Sequence, residues 1–540
     1  MMEFPSHFTS ERAEALSGGC GARALDASPS APADDPQPLI VTAMHLRNLK
    51  VTTEPSDDNS HQTDSVWHAP AFEAFDSVLN DPVSSEDIVD LMLIEEGDDL
   101  RREDVINLIR EYLDIFSETL TKEPALVPPL ELTVDRSKWE QPKHHCPPRP
   151  QTAANQVEIK RQLDRLVDQN VIRESNAGFY SQVHLAEKPP KGSGQKRFCI
   201  DYILLNVCTL TSDQWPLPNI LQMLRRIGDR RPKYFAVFDL TAGYHQMPMS
   251  IAAIVFTAFI CFYGLYEYLR VPFGLKGAPS YFQRVMSNVV LAGLVLVICE
   301  VYIDDIIIHA KTGAELLTNM RRVFERIRKH KLLLHPKKAR VGLQSIEYTG
   351  HVIDRTGLSF SPKKIRAILD FPLPTQKQHI KQFLGLANYF RDHIRNHSSN
   401  AAPLQRHIPN YSKKRDAHKP IEIDEEGRNA FQTIKDMIEN CPKLFFMDNI
   451  SPVTLFTDAS TYGIGGYLIQ QVTDASGKVT EQPIAFMSES LSVSQLKWDI
   501  PQKEAYAIYA AILKFDYLLR DRHFKIKTDH KNITYMNTST

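Results

Sequence analysis

Two spacings of apolar residues recur along the chain. Ile159, Leu163, Leu166 and Val167 stand at i, i+4, i+7 and i+8, which predicts an amphipathic helix starting near Asn155. Short apolar runs follow, YSQVHLAEK, KRFCIDY, YFAVFDL and EVYIDDIIIHA, and these read as strands. Between the last two, Pro279 opens a helix with Phe282, Val285, Met286, Val289 and Val290 on one face. Residues 314–333 read as a basic helix. Strands and helices in this order predict an α+β sheet domain with helices on one side. Pro362 to about Arg406 is helical in pattern (KKIRAILDF, then HIKQFLGLANYFRDHI), and a polar connector follows. From Pro452 a second α/β pattern begins: strand VTLFTDAS, Gly-rich turn TYGIGG, strands YLIQQV and QPIAFMS, helix PQKEAYAIYAAILKFDYLL and strand FKIKTDH. Ahead of all this, residues 1–85 are rich in Ser, Pro, Ala and Asp without a sustained period and are expected to be disordered. Short helical patterns and a proline-rich strap are expected over 86–150.

The 540 residues allow about three to five domains. With 43% hydrophobic and 24% charged residues, the chain is ordinary globular material with enough apolar content for more than one core. The longest uncharged apolar run, Val289 to Cys299, is far short of the ~20 residues of a membrane span, so no membrane partner is expected. The first twenty residues lack the basic start and apolar core of a secretory signal. Seven scattered cysteines with no CxxC spacing indicate neither a disulfide framework nor a zinc ribbon, and fit a reducing intracellular compartment. His144-His145-Cys146 has no second ligand pair and reads as surface loop. The net charge of −2 hides an acidic front and a basic middle. Residues 51–100 hold fourteen Asp or Glu and no Lys or Arg, whereas 311–340 hold ten Lys or Arg against two Glu. The basic stretch is either a solvated helix face or a surface for a polyanion.

The sharpest local feature is Asp304-Asp305 between two apolar strands. Tight hairpins need φ > 0 and favour Asn-Gly or Asp-Gly, and adjacent aspartates repel each other. The pair is either a solvent-exposed turn or a cation site. Asp239 ends another apolar strand, where a carboxylate can cap a turn or meet a cleft. Together Asp239, Asp304 and Asp305 supply carboxylates at neighbouring strand ends, the ligand set for two Mg²⁺ ions that activate a 3′-hydroxyl and stabilise a leaving pyrophosphate.

Eight ordered motifs then carry a resemblance: SQVHLAEKPPKG, RFCIDYILLN, PLPNI, FDLTAGYHQM, FTAFI, GLYEYLRVPFGLKGAPSYFQ, VYIDDIIIHA and HPKKARVGLQSIEYTGHVI, with FLGLANYFRDHI beyond them. The run resembles the reverse transcriptase of gypsy-type LTR retrotransposons. The resemblance implies a right-hand polymerase, with fingers and palm over 151–355 and thumb-like helices and connection over 356–445. It implies Asp239, Asp304 and Asp305 as catalytic metal ligands for Mg²⁺ or Mn²⁺. It implies an RNA template, a DNA primer and dNTPs as partners, and an intracellular setting in a cytoplasmic particle or the nucleus; a homodimer is compatible with it. Tyr244 would stand against the sugar of the incoming nucleotide and exclude a 2′-hydroxyl. Lys188, Lys191 and Arg197 would meet its phosphates, Phe273 and Gly274 would line its pocket, and the basic stretch 321–340 would track the duplex phosphates. Two departures stand near this path: Ile203, where the family has Arg, and Ile251-Ala252-Ala253-Ile254, where it has a charged stretch. If they abolish activity, the chain would be a relic that binds nucleic acid without polymerising.

LFTDASTYGIGGYLIQ, SESLSVSQLKW, KEAYAIYAAILKFDYLL and FKIKTDHKNI resemble the RNase H domain that comes after reverse transcriptase in such elements. Asp458, Glu504 and Asp529 would be its carboxylates over 446–540, with N-terminal helix capping as the other reading of Glu504. An RNA-directed RNA polymerase shares the palm acids but has neither Tyr244 nor an attached RNase H-like segment. Eleven residues follow Asp529, so the domain is expected to be truncated, short of a fourth carboxylate and unable to cleave an RNA–DNA hybrid. No Asp-Thr-Gly or Asp-Ser-Gly protease motif, zinc knuckle or integrase pattern is found, which suggests a segment of a longer element.

Overall fold

The computed structural model describes residues 2–3, 85–187, 196–211, 215–408, 420–448, 450–474 and 476–530. Almost all of the stretch expected to be disordered, and Lys188 and Lys191, lie outside the described residues. Two compact units result, one of residues 66–346 with 353–355, the other of 1–65, 347–352 and 356–540. Among the described residues no helix is long and apolar enough to cross a membrane.

The first unit is built on two five-stranded sheets. In chain order its elements are β1 (Leu93–Ile94), α1 (Arg102–Arg110), α2 (Ala153–Asp168), β2 (Ile172–Glu174), β3 (Ser181–Glu187), β4 (Lys196–Asp201), β5 (Tyr234–Asp239), β6 (Phe259–Cys261), β7 (Gly264–Tyr268), α3 (Ala278–Val285), β8 (Cys299–Tyr302), β9 (Asp305–Ala310), α4 (Gly313–Lys329) and β10 (Arg340–Leu343). One sheet runs β2-β7-β6-β3-β4 and the other β8-β9-β5-β10-β1. All four expected strand runs form strands, and the helix expected near Asn155 is α2, with Ile159, Leu163 and Leu166 buried. In the second sheet β5 has neighbours on both sides and covered faces, so its run is apolar almost throughout and Tyr234, Phe235, Ala236 and Phe238 are fully buried. Gly342 (φ +83°) makes a bulge in β10 where a side chain would strike the Glu95 carbonyl 2.1 Å away, and this lets β1 pair alongside.

The N-terminal strap, residues 101–123, belongs to this core. Val105, Leu108, Ile109, Tyr112, Ile115 and Phe116 are buried in the same cluster as Phe324 of α4, with the Tyr112 and Phe116 rings each 5.5 Å from the Phe324 ring. One expectation is corrected here. His144 is not surface loop: it is buried and stacked on Trp139, ring centres 4.5 Å apart, although His145 and Cys146 are exposed. An aromatic partner five residues upstream outweighs the polar run around it.

The second unit continues with α5 (Pro362–Leu369), α6 (Lys377–Ala387), α7 (His397–Gln405), α8 (Glu425–Glu439), β11 (Val453–Ala459), β12 (Gly463–Thr473), β13 (Val479–Ser490), α9 (Ile500–Leu519) and β14 (Phe524–Lys527). Its sheet runs β14-β11-β12-β13, with Met2–Glu3 along the outer edge of β14. Phe360, Ile380, Phe383, Phe390, Phe431 and Ile434 form the core among α5–α8, and Leu455, Leu468, Ala507, Ala511 and Phe515 that between sheet and α9. The glycines of TYGIGG do not make a turn as expected. Gly463, Gly465 and Gly466 lie inside β12, with Gly465 directly opposite Asp458.

Candidate active sites

β5 and the β8–β9 hairpin bring the first three acids together. Asp239, the last residue of β5, is the register partner of Asp305, the first of β9, and Asp304 occupies the turn between β8 and β9. Oxygens of all three carboxylates lie within 4.8 Å of one another. The turn has φ > 0 at Ile303 (+55°) and at neither aspartate, the pattern of a type II′ turn with a β-branched residue where glycine is usual. That strained conformation is held from outside. Gln283 of α3, almost fully buried, accepts from Ile303 N–H (2.7 Å) and donates to the Val301 carbonyl (3.0 Å).

Burial pushes the Asp304 carboxyl up to about 7, with the charges of Asp239 and Asp305 adding to it. Burial likewise raises Asp239, against the opposing pull of Lys338, whose ammonium is ion-paired with it. Asp239 Oδ1 and Asp304 Oδ1 are buried with no hydrogen-bond partner among the described residues. Buried carboxylate oxygens without donors are costly unless a cation meets them, so the chemistry of this donor set fits a hard divalent ion.

Tyr244 packs edge-on to Phe273 and tilted on Phe282, both ring centres 5.1 Å away, and burial followed by the Asp304 charge raises its hydroxyl pKa. Phe273 is partly exposed beside it. Gly274 (φ +96°) turns the chain against Tyr202, and its carbonyl accepts from Asn206 Nδ2 (2.9 Å). Arg197 stands on β4, in the other sheet, opposite Ala186; its Nε is buried with no hydrogen-bond partner among the described residues. Ile203 is 70% exposed and Ile251 90% exposed, whereas Ala253 and Ile254 of the second departure are buried in the core.

The basic stretch expected to follow phosphates is engaged differently. Arg321 pairs with Glu111 (2.9 Å), Arg328 with Asp114 (2.8 Å), Lys331 with Glu123 (2.9 Å) and Lys337 with Glu118 (2.8 Å), all acids of the N-terminal strap. Arg328 also lies over the Tyr112 ring, 4.1 Å from its centre.

A second cluster forms in the other unit. Asp458 near the end of β11, Glu504 of α9 and Asp529 just past β14 place carboxylate oxygens within 4.8 Å of one another. Capping of α9 falls to Asp499, which accepts from Gln502 N–H (2.9 Å) in a capping box, so Glu504 is not the cap. Glu504 instead takes the Ala459 N–H (3.2 Å) on one oxygen, and its other oxygen is buried without a hydrogen-bond partner among the described residues. Burial, then Asp529 and Asp458, pushes its carboxyl up to about 7.

Residues 188–353 match the family model for reverse transcriptase (RNA-dependent DNA polymerase), and residues 448–540 match that for the RNase H-like domain found in reverse transcriptase. The chain carries a reverse transcriptase domain followed by an RNase H-like domain. Among similar curated proteins is the Retrovirus-related Pol polyprotein from transposon opus of Drosophila melanogaster, 34% identical over 385 residues, which cover 70% of this chain and 38% of that protein. The polyprotein from transposon gypsy of the same organism is 30% identical over 386 residues, 70% of this chain and 36% of that protein. The chain thus spans about a third of the length of the curated relatives it matches. Among solved structures, a foamy viral protease-reverse transcriptase in complex with dsDNA superposes with a TM-score of 0.67 at 18% identity, covering 84% of this chain and 90% of that one. The same kind of protein in complex with an RNA/DNA hybrid gives 0.63 at 19% identity, covering 84% and 58%. The fold is the right-hand polymerase fold with an RNase H-like α/β domain after it.

Three residues of these domains carry no signal in the sequence. Gln283 and Lys338 in the reverse transcriptase domain stand inside the family's motifs, but neither glutamine nor lysine advertises a clamp on a turn or a carboxylate partner. Asn396, before the RNase H-like domain, donates to Asp458 (3.1 Å) across 62 residues, a contact with no local signature.

Proposed function

We propose that the chain is the RNA-directed DNA polymerase of a retrotransposon, extending a DNA primer on an RNA template with dNTPs. The observation that carries this is the convergence of Asp239, Asp304 and Asp305, two of them with buried unpartnered oxygens, at the end of a fully built sheet. These three would hold Mg²⁺ or Mn²⁺, which when bound supplies activation of the primer 3′-hydroxyl and neutralises charge on the leaving pyrophosphate. The II′ turn clamped by Gln283 keeps Asp304 and Asp305 aimed at Asp239, so orientation is set before substrate arrives. Tyr244, wedged by Phe273 and Phe282, offers a rigid ring near Asp304 against which the 2′-hydroxyl of an incoming ribonucleotide would clash. Arg197 offers a guanidinium to the nucleotide's phosphates, with Lys188 and Lys191 flanking it in sequence and the Gly274 turn opening the pocket wall. Asp458, Glu504 and Asp529 form a second divalent-cation site.

The test is primer extension on an RNA template by the parent and by Asp304→Asn. The variant should lose metal-dependent extension by at least about 100-fold while binding template–primer as the parent does. Extension at the parent's rate would sink the assignment of the triad. Binding without extension by the parent itself would favour the relic reading. Incorporation of NTPs in place of dNTPs would point to an RNA polymerase.

A further inference from the structure

The turn that precedes α7 lies against the RNase H-like sheet. Arg391 donates to the Ser488 carbonyl (2.5 Å), Ser398 N–H donates to Ser488 Oγ (2.7 Å), and the hydroxyls of Ser399 and Ser460 are 2.7 Å apart. These bonds anchor the turn to both β13 and the loop after β11. At its tip Asn396 adopts the left-handed conformation (φ +51°), which asparagine tolerates better than most residues. Its Nδ2 then donates to Asp458 Oδ2 at 3.1 Å.

The other end of the same amide explains a glycine. A Cβ on Gly465 would lie 2.1 Å from Asn396 Oδ1 and 3.2 Å from its Cγ, while its next neighbour, the Met487 carbonyl, is 3.8 Å away. Gly465 faces Asp458 across the β11–β12 pair, so the missing side chain opens the space through which Asn396 reaches the carboxylate. Asn396 also lines a cavity of 320 Å³ together with Asp458, Asp529, Arg395 and Lys527.

We propose that Asn396 is a positioning residue for the Asp458/Glu504/Asp529 cluster: its amide holds one oxygen of Asp458 and so leaves the other aimed at the cation. A donor fixed on one carboxylate oxygen orients the ligand in the way that outer partners orient metal-binding side chains elsewhere. The site is therefore completed from outside residues 448–540, by the turn before α7. This rests on the reading of the cluster as a divalent-cation site.

The test is Mn²⁺ titration by calorimetry on the full chain carrying Asp304→Asn and Asp305→Asn, so that the polymerase triad does not contribute. Adding Asp458→Asn should remove the remaining binding; if it does not, the reading of the cluster as a cation site fails. Adding Asn396→Gly keeps the left-handed backbone and deletes only the amide, and should weaken Mn²⁺ binding about tenfold with an unchanged melting temperature. Gly465→Ala should weaken it similarly by displacing Asn396, yet add nothing in the Asn396→Gly background, where the methyl has room. Loss on Asp458→Asn with no change on Asn396→Gly would overturn the proposal and leave the cation site standing. Additive losses from the two substitutions would overturn it as well, because they would mark Gly465 as a separate structural position.

Discussion

Asp304 shows how one residue can be costly to the fold and still stand at the centre of the proposed site. Its carboxyl is raised from 3.8 to about 7 by burial, and further by Asp239 and Asp305. A raised carboxyl binds its proton more tightly folded than unfolded. Its contribution to stability is therefore fully present below about pH 4 and lost as pH rises through about 7. At about 1.4 kcal/mol per unit, three units set a ceiling of roughly 4 kcal/mol, and about 1–3 kcal/mol is expected once water and Lys338 share the charge. With chelator present, Asp304→Asn should melt several degrees above the parent at pH 8, and the gap should close toward pH 4. Urea or thermal melts over that range measure it. Parallel pH profiles for the two proteins would mean that the Asp304 charge is already compensated. Glu504, also pushed up to about 7, repeats the same tension in the RNase H-like domain.

At the scale of elements, the β8–β9 hairpin is where local sequence and final geometry part. An Asp-Asp turn without glycine is a poor hairpin by itself, and the positive φ falls on Ile303 because Gln283 supplies both the acceptor and the donor that the turn lacks. Gln283→Ala should leave a buried N–H unpaired, destabilise by about 1–3 kcal/mol and slow primer extension by more than the stability loss explains. Wild-type extension from a variant that still folds would show that the turn needs no clamp. Legibility in the sequence divides along the same line. The strand runs and α2 could be read because burial on one or two faces writes its period directly into the sequence. The two acid sets could be read because charged residues at the ends of apolar strands stand out. TYGIGG could not be read, since its glycines answer to partners far away in sequence: Gly465 to Asn396, Gly463 to the Glu489 carbonyl and Gly466 to Ala511. Capping stood as a second reading of Glu504 because Asp499, the real cap, precedes Pro501 and signals only through Gln502.

At the scale of the whole molecule, part of the basic stretch proves to be matched internally. The strap's Glu111, Asp114, Glu118 and Glu123 meet Arg321, Arg328, Lys337 and Lys331, four of the ten basic residues of 311–340; of the acids of 51–100, Asp98 and Asp99 face Lys233 instead, and those of 54–81 lie outside the described residues. Exposed ion pairs are each worth little, so these do not hold the strap; the buried side chains Val105, Ile109, Tyr112 and Phe116 do. The pairs act on specificity instead, because a guanidinium already facing a carboxylate offers less to a phosphate. Charge counting along the sequence therefore overstates the polyanion surface. Were Arg321 and Arg328 phosphate contacts, removing both would flatten the dependence of log K on log salt for template–primer binding by about 2. With both engaged by Glu111 and Asp114, Arg321→Ala/Arg328→Ala should leave that slope within about 0.3 of the parent's, while the melting temperature falls because Arg328 also covers the Tyr112 ring. Binding isotherms at four or five salt concentrations decide between the two. A slope reduced by close to 2 would return the basic helix to the nucleic acid, and the strap would then have to yield its place when template–primer binds.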